Sequence, residues 1–468
     1  MEKEDLSVLT KGNNVIILSS HEKSDSNSKI VTKVYKRRWL NLGLYVFYSS
    51  LVASQWVEYS IIANIVARYY NVSLRAVDWT SMIYMLFYVV FIFPISYLSE
   101  RIGLRHTIIL GSFLCCFGAW IKTLSVTPDR FPVTFAGQSI VALSLVIMLP
   151  MPGRVSANWF GSDELSTATS LGIFGPQFGI SMMFFLPPFI VKNHEDVYDI
   201  GVDLSLLFWG VALASSLNLV LVILFFKDEP KLPPNETRAL QKMNLNQVEG
   251  FIGPMKQLFT NKSFLILCNS YGLNVGILNV LGTLLSQLFL IHFANAEKDA
   301  GMIGLLIIFT GMFGSIMFGI ILDKTRKFKE TAVTVYFLTL CGQILFSVAI
   351  LMEVKWMVYV AAIFLGFFMS GYLALGYELA AEYTYPISES HSAGILNITN
   401  NIYGIVLVII LEVVLEHYGD FPVHIIFCVA LLIGLIMTIM TKDEQRRQDT
   451  RKSAVYQDVP QEDVEKEN

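Results

Sequence analysis

Ser54-Gln55-Trp56-Val57-Glu58-Tyr59 interrupts an apolar run that extends from Trp39 to Val66. A helix of that length covers a bilayer core of about 30 Å. A carboxylate at such depth costs about 2.5–3.5 kcal/mol on insertion scales, so the stretch reads as the wall of an internal pathway. Helical spacing puts Tyr59, Ser60 and Ala63 on the face of Trp56, and Glu58 about 200° away. Glu58 then serves either a solute or polar groups on a neighbouring helix. Gly172, Gly175, Pro176, Gln177 and Gly179 break a later run. Pro removes a helix donor and predicts a kink, where Gln177 either bonds freed carbonyls or faces a cavity. Further polar groups in apolar runs are Tyr271, Asn274 and Asn279, and then Asn397, Thr399, Asn400 and Asn401. Lipid could not tolerate the last patch, so part of it faces inward.

Amides, phenols and an indole read as the wall of a pathway. They do not suit covalent chemistry. No nucleophile–base pair, CxxC, HExxH or phosphate-cradling loop occurs, so an intramembrane enzyme ranks last, and no cofactor or metal is expected. Cys115, Cys116, Cys268, Cys341 and Cys428 all fall inside apolar runs and read as free thiols. His292 and His391 read as solvated loop residues ahead of metal or haem ligands. No single span carries an Asp–Arg or His–Glu pair, which ranks facilitated or weakly coupled movement above a proton pump.

These residues need membrane helices to hold them. The 468-residue chain is 54% hydrophobic and only 15% charged, against about 25% charged in soluble proteins. The net charge of −4 gives no basic face for nucleic acid. Apolar runs fall at 39–66, 80–98, 106–126, 132–153, 165–191 and 203–226, then at 263–292, 301–322, 330–351, 356–377, 393–415 and 421–440. The expected fold is an all-α membrane protein with twelve transmembrane helices in two six-helix halves. Residues 1–32 read as a disordered tail, 33–226 as the first half, 227–262 as a linker, 263–441 as the second half and 442–468 as a second tail.

Lys33, Lys36, Arg37, Arg38, Arg101, Arg105 and Arg154, the linker, Lys324–Lys329 and the second tail lie on one side of these spans. The other side holds only Arg68, Arg75, Lys122, Arg130, Lys192, Lys298 and Lys355. By the positive-inside rule both termini are cytoplasmic. The polar start shows no cleavable signal peptide. The sequon Asn71-Val72-Ser73 then sits in the first outer loop, making Asn71 a candidate glycosylation site.

Tyr48/Tyr271 and Glu100-Arg101/Asp323-Lys324 recur at an offset of 223, and Glu164, Ala168, Leu171, Ile173 and Gly179 match residues 225 further on. Tandem six-helix halves are the architecture of the major facilitator superfamily, whose substrate site lies between the halves near the midplane. The loop Ser99-Glu100-Arg101-Ile102-Gly103-Leu104-Arg105 resembles the superfamily's signature loop, and Asp323-Lys324-Thr325-Arg326-Lys327 is its weaker copy. Glu100, Arg101, Arg105, Asp323 and Lys324 are therefore expected to form a conformational latch. The repeat also sets Asn279 opposite Trp56.

Arg37-Arg38-Trp39, Gln55-Trp56, Asp78-Trp79, Phe131-Pro132-Val133, Trp159-Phe160-Gly161, Tyr271-Gly272-Leu273-Asn274 and Thr384-Tyr385-Pro386 stand in order along the chain. Together they resemble the feline leukaemia virus subgroup C receptor-related family, solute carrier family 49, over about residues 33–442. The resemblance implies a carrier of choline and ethanolamine; it is expected as a monomer in the plasma membrane, with a mitochondrial or other internal membrane as the alternative. Haem transport is the runner-up, and a non-transporting receptor or regulatory protein is the alternative of another class. The family's box for the ammonium looks like a Trp, a Gln, a Tyr and a second Gln. Trp56 and Gln177 match it, whereas Asn279 and Asn401 stand at the Tyr and second Gln positions. Glu58 stands where relatives have Gln. The expected solute site is Trp56, Gln177, Asn279 and Asn401, with Tyr59, Tyr271 and Asn274 beside them.

Overall fold

The computed structural model describes residues 6–11, 14–19, 32–161, 164–234, 252–325, 327–385, 387 and 389–442. The helices are α1 (Arg37–Trp56), α2 (Ala63–Tyr70), α3 (Leu74–Thr123), α4 (Phe131–Met148), α5 (Met151–Trp159), α6 (Leu165–Phe185), α7 (Pro187–Ile190) and α8 (Val197–Phe225). They continue as α9 (Ile252–Thr260), α10 (Lys262–His292), α11 (Glu297–Thr325), α12 (Phe328–Leu351), α13 (Lys355–Thr384), α14 (Glu389–Tyr418) and α15 (Asp420–Met440). Within the stretch read as a disordered tail, β1 (Leu6–Lys11) pairs antiparallel with β2 (Asn14–Ser19). Short apolar stretches on both sides of a Gly-Asn pair are a hairpin pattern, which the tail's overall polarity conceals. Residues 235–251 of the linker and nearly all of the C-terminal tail lie outside the described residues.

Among the described residues, ten helices are long and apolar enough to cross a membrane. One of them, α3, has 50 residues and contains two spans joined at Gly103, whose φ of 81° breaks the helix. Only a residue without a Cβ adopts that conformation freely. Here a Cβ would also meet the Asp228 carboxylate at 3.1 Å. The first crossing, by contrast, is made jointly by α1, a 3-10 turn (Ser60–Ile62) and α2. With α1–α2 as one crossing and α3 as two, the architecture is consistent with the twelve spans read from the sequence.

Helices α1 to α8 form one half and α10 to α15 the other, with matching wiring. In the first half α1 packs on α6, and the two spans of α3 pack on α4 and α8. In the second half α10 packs on α14, α11 on α13 and α12 on α15. The halves meet chiefly where α6 packs on α11 and where α3 packs on α14. The core is aromatic. Tyr45, Tyr48, Tyr59, Tyr84, Tyr271, Tyr336 and Tyr372 are fully buried, while the outward faces carry Leu, Ile, Val and Phe. A protein lying in lipid needs that outer surface.

Candidate functional site

The first crossing is built around a break. Helix α1 ends at Trp56, and the chain tightens through Ser60 N–H to Val57 O and Ile62 N–H to Tyr59 O. Such i→i+3 bonds leave carbonyls that an α-helix would have satisfied, and in a membrane they must be paired within the protein. Gln138 on α4 donates its amide to Gln55 O at 2.9 Å, and Ser286 on α10 donates to Ile61 O at 2.8 Å. The second of these bonds ties the broken segment to the opposite half.

The break corrects the expected grouping of Trp56 with Tyr59. Tightening the turn rotates the residues after Trp56, and Tyr59 swings into the first half, edge-on to Phe208 with ring centroids 5.9 Å apart. Trp56 stays at the half–half boundary, its indole N–H donated to Ser81 O on α3 at 3.2 Å.

Glu58, also past the break, points into the first half and forms an ion pair with Lys122 at the end of α3. Both are sealed, at 0% and 1% exposure. Lys122 Nζ also donates to Gln138 Oε1 at 3.4 Å and lies over the Tyr59 ring, and Tyr84 donates to the same Gln138 oxygen at 2.8 Å. Lys122, grouped in the sequence with outer-side cations, is thus an interior residue. Of the two roles open to Glu58, the structure takes the polar partner on a neighbouring helix.

Between the halves lies a cavity. Trp56, Gln177, Ile180 and Phe184 line it from the first half, and Val275, Leu278, Asn279, Gly282, Ile307, Ile308 and Leu373 from the second. Trp56, Gln177 and Asn279 are therefore brought together as expected. Asn401 is not in the lining, because its amide is donated to Asn397 O at 2.7 Å. The neighbouring Asn400 reaches instead towards Asn279, with Nδ2 of Asn279 3.5 Å from its Oδ1. That separation is long for a hydrogen bond and leaves the Asn279 amide free to meet a solute.

Tyr271 packs its ring against Tyr377, with centroids 5.8 Å apart, and lies behind the lining. Asn274 is fully buried, and neither of its amide atoms has a partner among the described residues. It too stands behind the lining.

Sequence reasoning missed Phe184. It follows Gln177 by seven residues and Ile180 by four, so all three share one face of α6. Gly301 and Gly304 on α11 seat it: a Cβ at Gly304 would meet the ring at 2.7 Å, and one at Gly301 would meet Phe184 O at 2.5 Å. The cavity therefore has two aromatic side chains, Trp56 and Phe184, and two amides, Gln177 and Asn279. Neither a carboxylate nor a histidine is among its lining residues. A cation there would meet ring faces and amide oxygens, without a counter-ion among the lining residues.

Above this cavity, towards the end opposite Arg37, Arg101 and Arg154, polar contacts join the halves at successive turns of α3 and α10. Ser81 and Thr283 hydroxyls are 3.2 Å apart. One turn on, Gln287 donates to both oxygens of Asp78 at 2.8 Å. At the rim Arg75 pairs with Glu416 at 2.6 Å, and Asn64 donates to Glu297 at 2.9 Å.

At the basic end, Arg105, one of the residues expected to form a latch, is bonded within its own half. The Arg105 backbone N–H donates to Asp228 at 3.0 Å and its guanidinium to Ile223 O at 3.1 Å. Arg101 stacks on Tyr97 instead, and Glu100 and Lys324 are exposed. The Asp323 side chain lies outside the described residues. Asn71 is exposed in the turn before α3, with a left-handed φ of 51°, and Ser73 of its sequon caps α3 by accepting from Ala76 N–H.

The model of the Major Facilitator Superfamily matches residues 44–406. The choline/ethanolamine transporter flvcr2a of Danio rerio is 41% identical over 439 residues, spanning 94% of this chain and 93% of that protein. The human choline/ethanolamine transporter FLVCR2 is 39% identical over 435 residues, 93% of this chain and 83% of its own length. In three dimensions the chain is similar to a crystal structure of a D-xylose–proton symporter, with a TM-score of 0.67 at 12% identity. That likeness covers 86% of this chain and 98% of the symporter, and it concerns the fold alone.

Proposed function

The chain belongs to the major facilitator superfamily and, within it, to the feline leukaemia virus subgroup C receptor-related family, and on that footing we propose that it carries choline and ethanolamine by alternating access. The observation that carries the reading is the cavity between the halves, walled by Trp56, Gln177, Phe184 and Asn279. Choline presents a quaternary ammonium that donates no conventional hydrogen bond, so ring faces are its natural partners, at about 0.5–2 kcal/mol each when desolvated. Ethanolamine presents three N–H donors, which the amide oxygens of Gln177 and Asn279 can accept. Replacing the family's Tyr by Asn279 tilts this site towards the hydrogen-bonding amine, while Phe184 supplies a second ring for choline.

Haem is a poorer occupant. It calls for an axial ligand such as His or Tyr, and the cavity lining contains neither. The basic end, with Arg37, Arg101 and Arg154, faces the cytoplasm in this reading, and the plasma membrane is the proposed location. Glu100, Arg101, Arg105, Asp323 and Lys324, joined by Asp228, make the proposed cytoplasmic latch. Asn71 is the proposed glycosylation site, and the carrier is proposed to work as a monomer.

The test is uptake and efflux of radiolabelled choline, ethanolamine and haem by proteoliposomes, with Asn279→Tyr alongside. Choline and ethanolamine should move and haem should not, and Asn279→Tyr should improve choline relative to ethanolamine about 2- to 30-fold. Saturable binding without flux would instead support a receptor.

A further inference from the structure

The contact between α3 and α14 holds a group of charges that solute binding does not use. Asp78 is 2% exposed and Glu412 7% exposed, and they belong to opposite halves. Glu412 lies 3.5 Å from Arg75, one turn before Asp78 on the same helix, which sets the two carboxyls beside each other across the contact between the halves. The charged groups facing them are Arg75, 3.5 Å from Glu412, and Glu416, 2.6 Å from Arg75, and the amide of Gln287 donates to both Asp78 oxygens. Two of these three acids, Glu412 and Glu416, share one guanidinium, which is itself drawn towards the exposed Glu416, and Asp78 has no cation beside it among the described residues. Glu412 Oε1 is buried and has no donor among the described residues. Two carboxylates cannot hydrogen-bond to each other, since both only accept, and like charges held this close cannot both stay ionised. A single proton on the pair supplies the missing donor and removes the repulsion.

We propose that Asp78 and Glu412 form a proton-binding site between the halves, at which one shared proton closes this end of the transporter. The proton enters from the solution at this end when α3 and α14 come together. When the halves part, the two carboxyls separate, each meets water, and the proton returns to the same solution. Trp56 links this gate to the solute cavity, because its indole N–H holds Ser81 O, three residues along α3 from Asp78. The inference requires the halves to rock apart at this end. It does not depend on which solute is carried.

The test reads the gap directly. Spin labels introduced as noncanonical amino acids at Leu124 and Trp356, both exposed at this end, one on each half, report its width in proteoliposomes without solute. In the wild type, lowering the pH should raise the ratio of short to long distances, by up to about tenfold per pH unit for one proton. Glu412→Gln and Asp78→Asn each replace a carboxyl by an amide that can donate without a proton. Each should keep the short distance and lose the pH slope. A flat wild-type titration, or an unchanged slope in a folded amide variant, overturns the proposal. Loss of choline flux with the slope intact would instead count against the substrate reading.

Discussion

Lys122→Met removes the cation from the Glu58 pair while keeping the long apolar stem that crosses Gly137, where a Cβ would meet Lys122 Cγ at 2.6 Å. Glu58 has no exposure and its Oε1 already lacks a donor, so the stranded carboxylate has no route to water. Breaking such a pair from one side costs about 3–5 kcal/mol, whereas replacing both charges by neutral groups of similar volume is neutral or even stabilising. At about 2–4 °C per kcal/mol for units of this size, Lys122→Met should lower the melting temperature in detergent by roughly 6–20 °C. The double variant Glu58→Gln with Lys122→Met should recover most of that loss. Gln is also the residue that the family resemblance places at position 58. Thermal unfolding followed by tryptophan fluorescence, with size-exclusion profiles, reads both. A single variant that melts with the wild type, or a double variant no better than the single, would refute the view that this pair holds the broken first helix.

Gly304→Ala places a methyl group 2.7 Å from the Phe184 ring, so the ring must leave its seat. Choline affinity should fall by about 2- to 30-fold in a binding assay, as expected for one lost ring face, with the protein still monodisperse. Gln177→Ala deletes an acceptor, and at about 0.5–1.5 kcal/mol per hydrogen bond it should raise the KM for ethanolamine roughly 2- to 10-fold. Choline KM should move less, which a parallel uptake titration shows.

The architecture was legible because bilayer depth dictates apolar run length, and the offsets near 223 and 225 exposed the two halves. The site was only partly legible. Trp56, Gln177 and Asn279 stood out as polar or aromatic groups that lipid would not hold. Tyr59 was misplaced because an α-helical spacing was carried across a segment that the structure tightens to i→i+3 bonds. Asn401 was favoured over Asn400 because a family resemblance fixes position along a helix more firmly than rotation about it. Phe184 was hidden because a Phe in a membrane helix ordinarily meets lipid; the Gly301/Gly304 pair that seats it was the available signal. The pairings Glu58–Lys122 and Asp78–Glu412 join different helices, so a search for charge pairs within one span could not find them.

In the proposed cycle an ammonium crosses the membrane through the cavity at Trp56. The most direct measurement is the initial rate of radiolabelled choline uptake into proteoliposomes by wild type, Trp56→Phe and Trp56→Ala at matched protein incorporation. Trp56→Phe should retain reduced transport because it keeps a ring face, and Trp56→Ala should abolish saturable uptake. Uptake by Trp56→Ala equal to wild type would contradict the account.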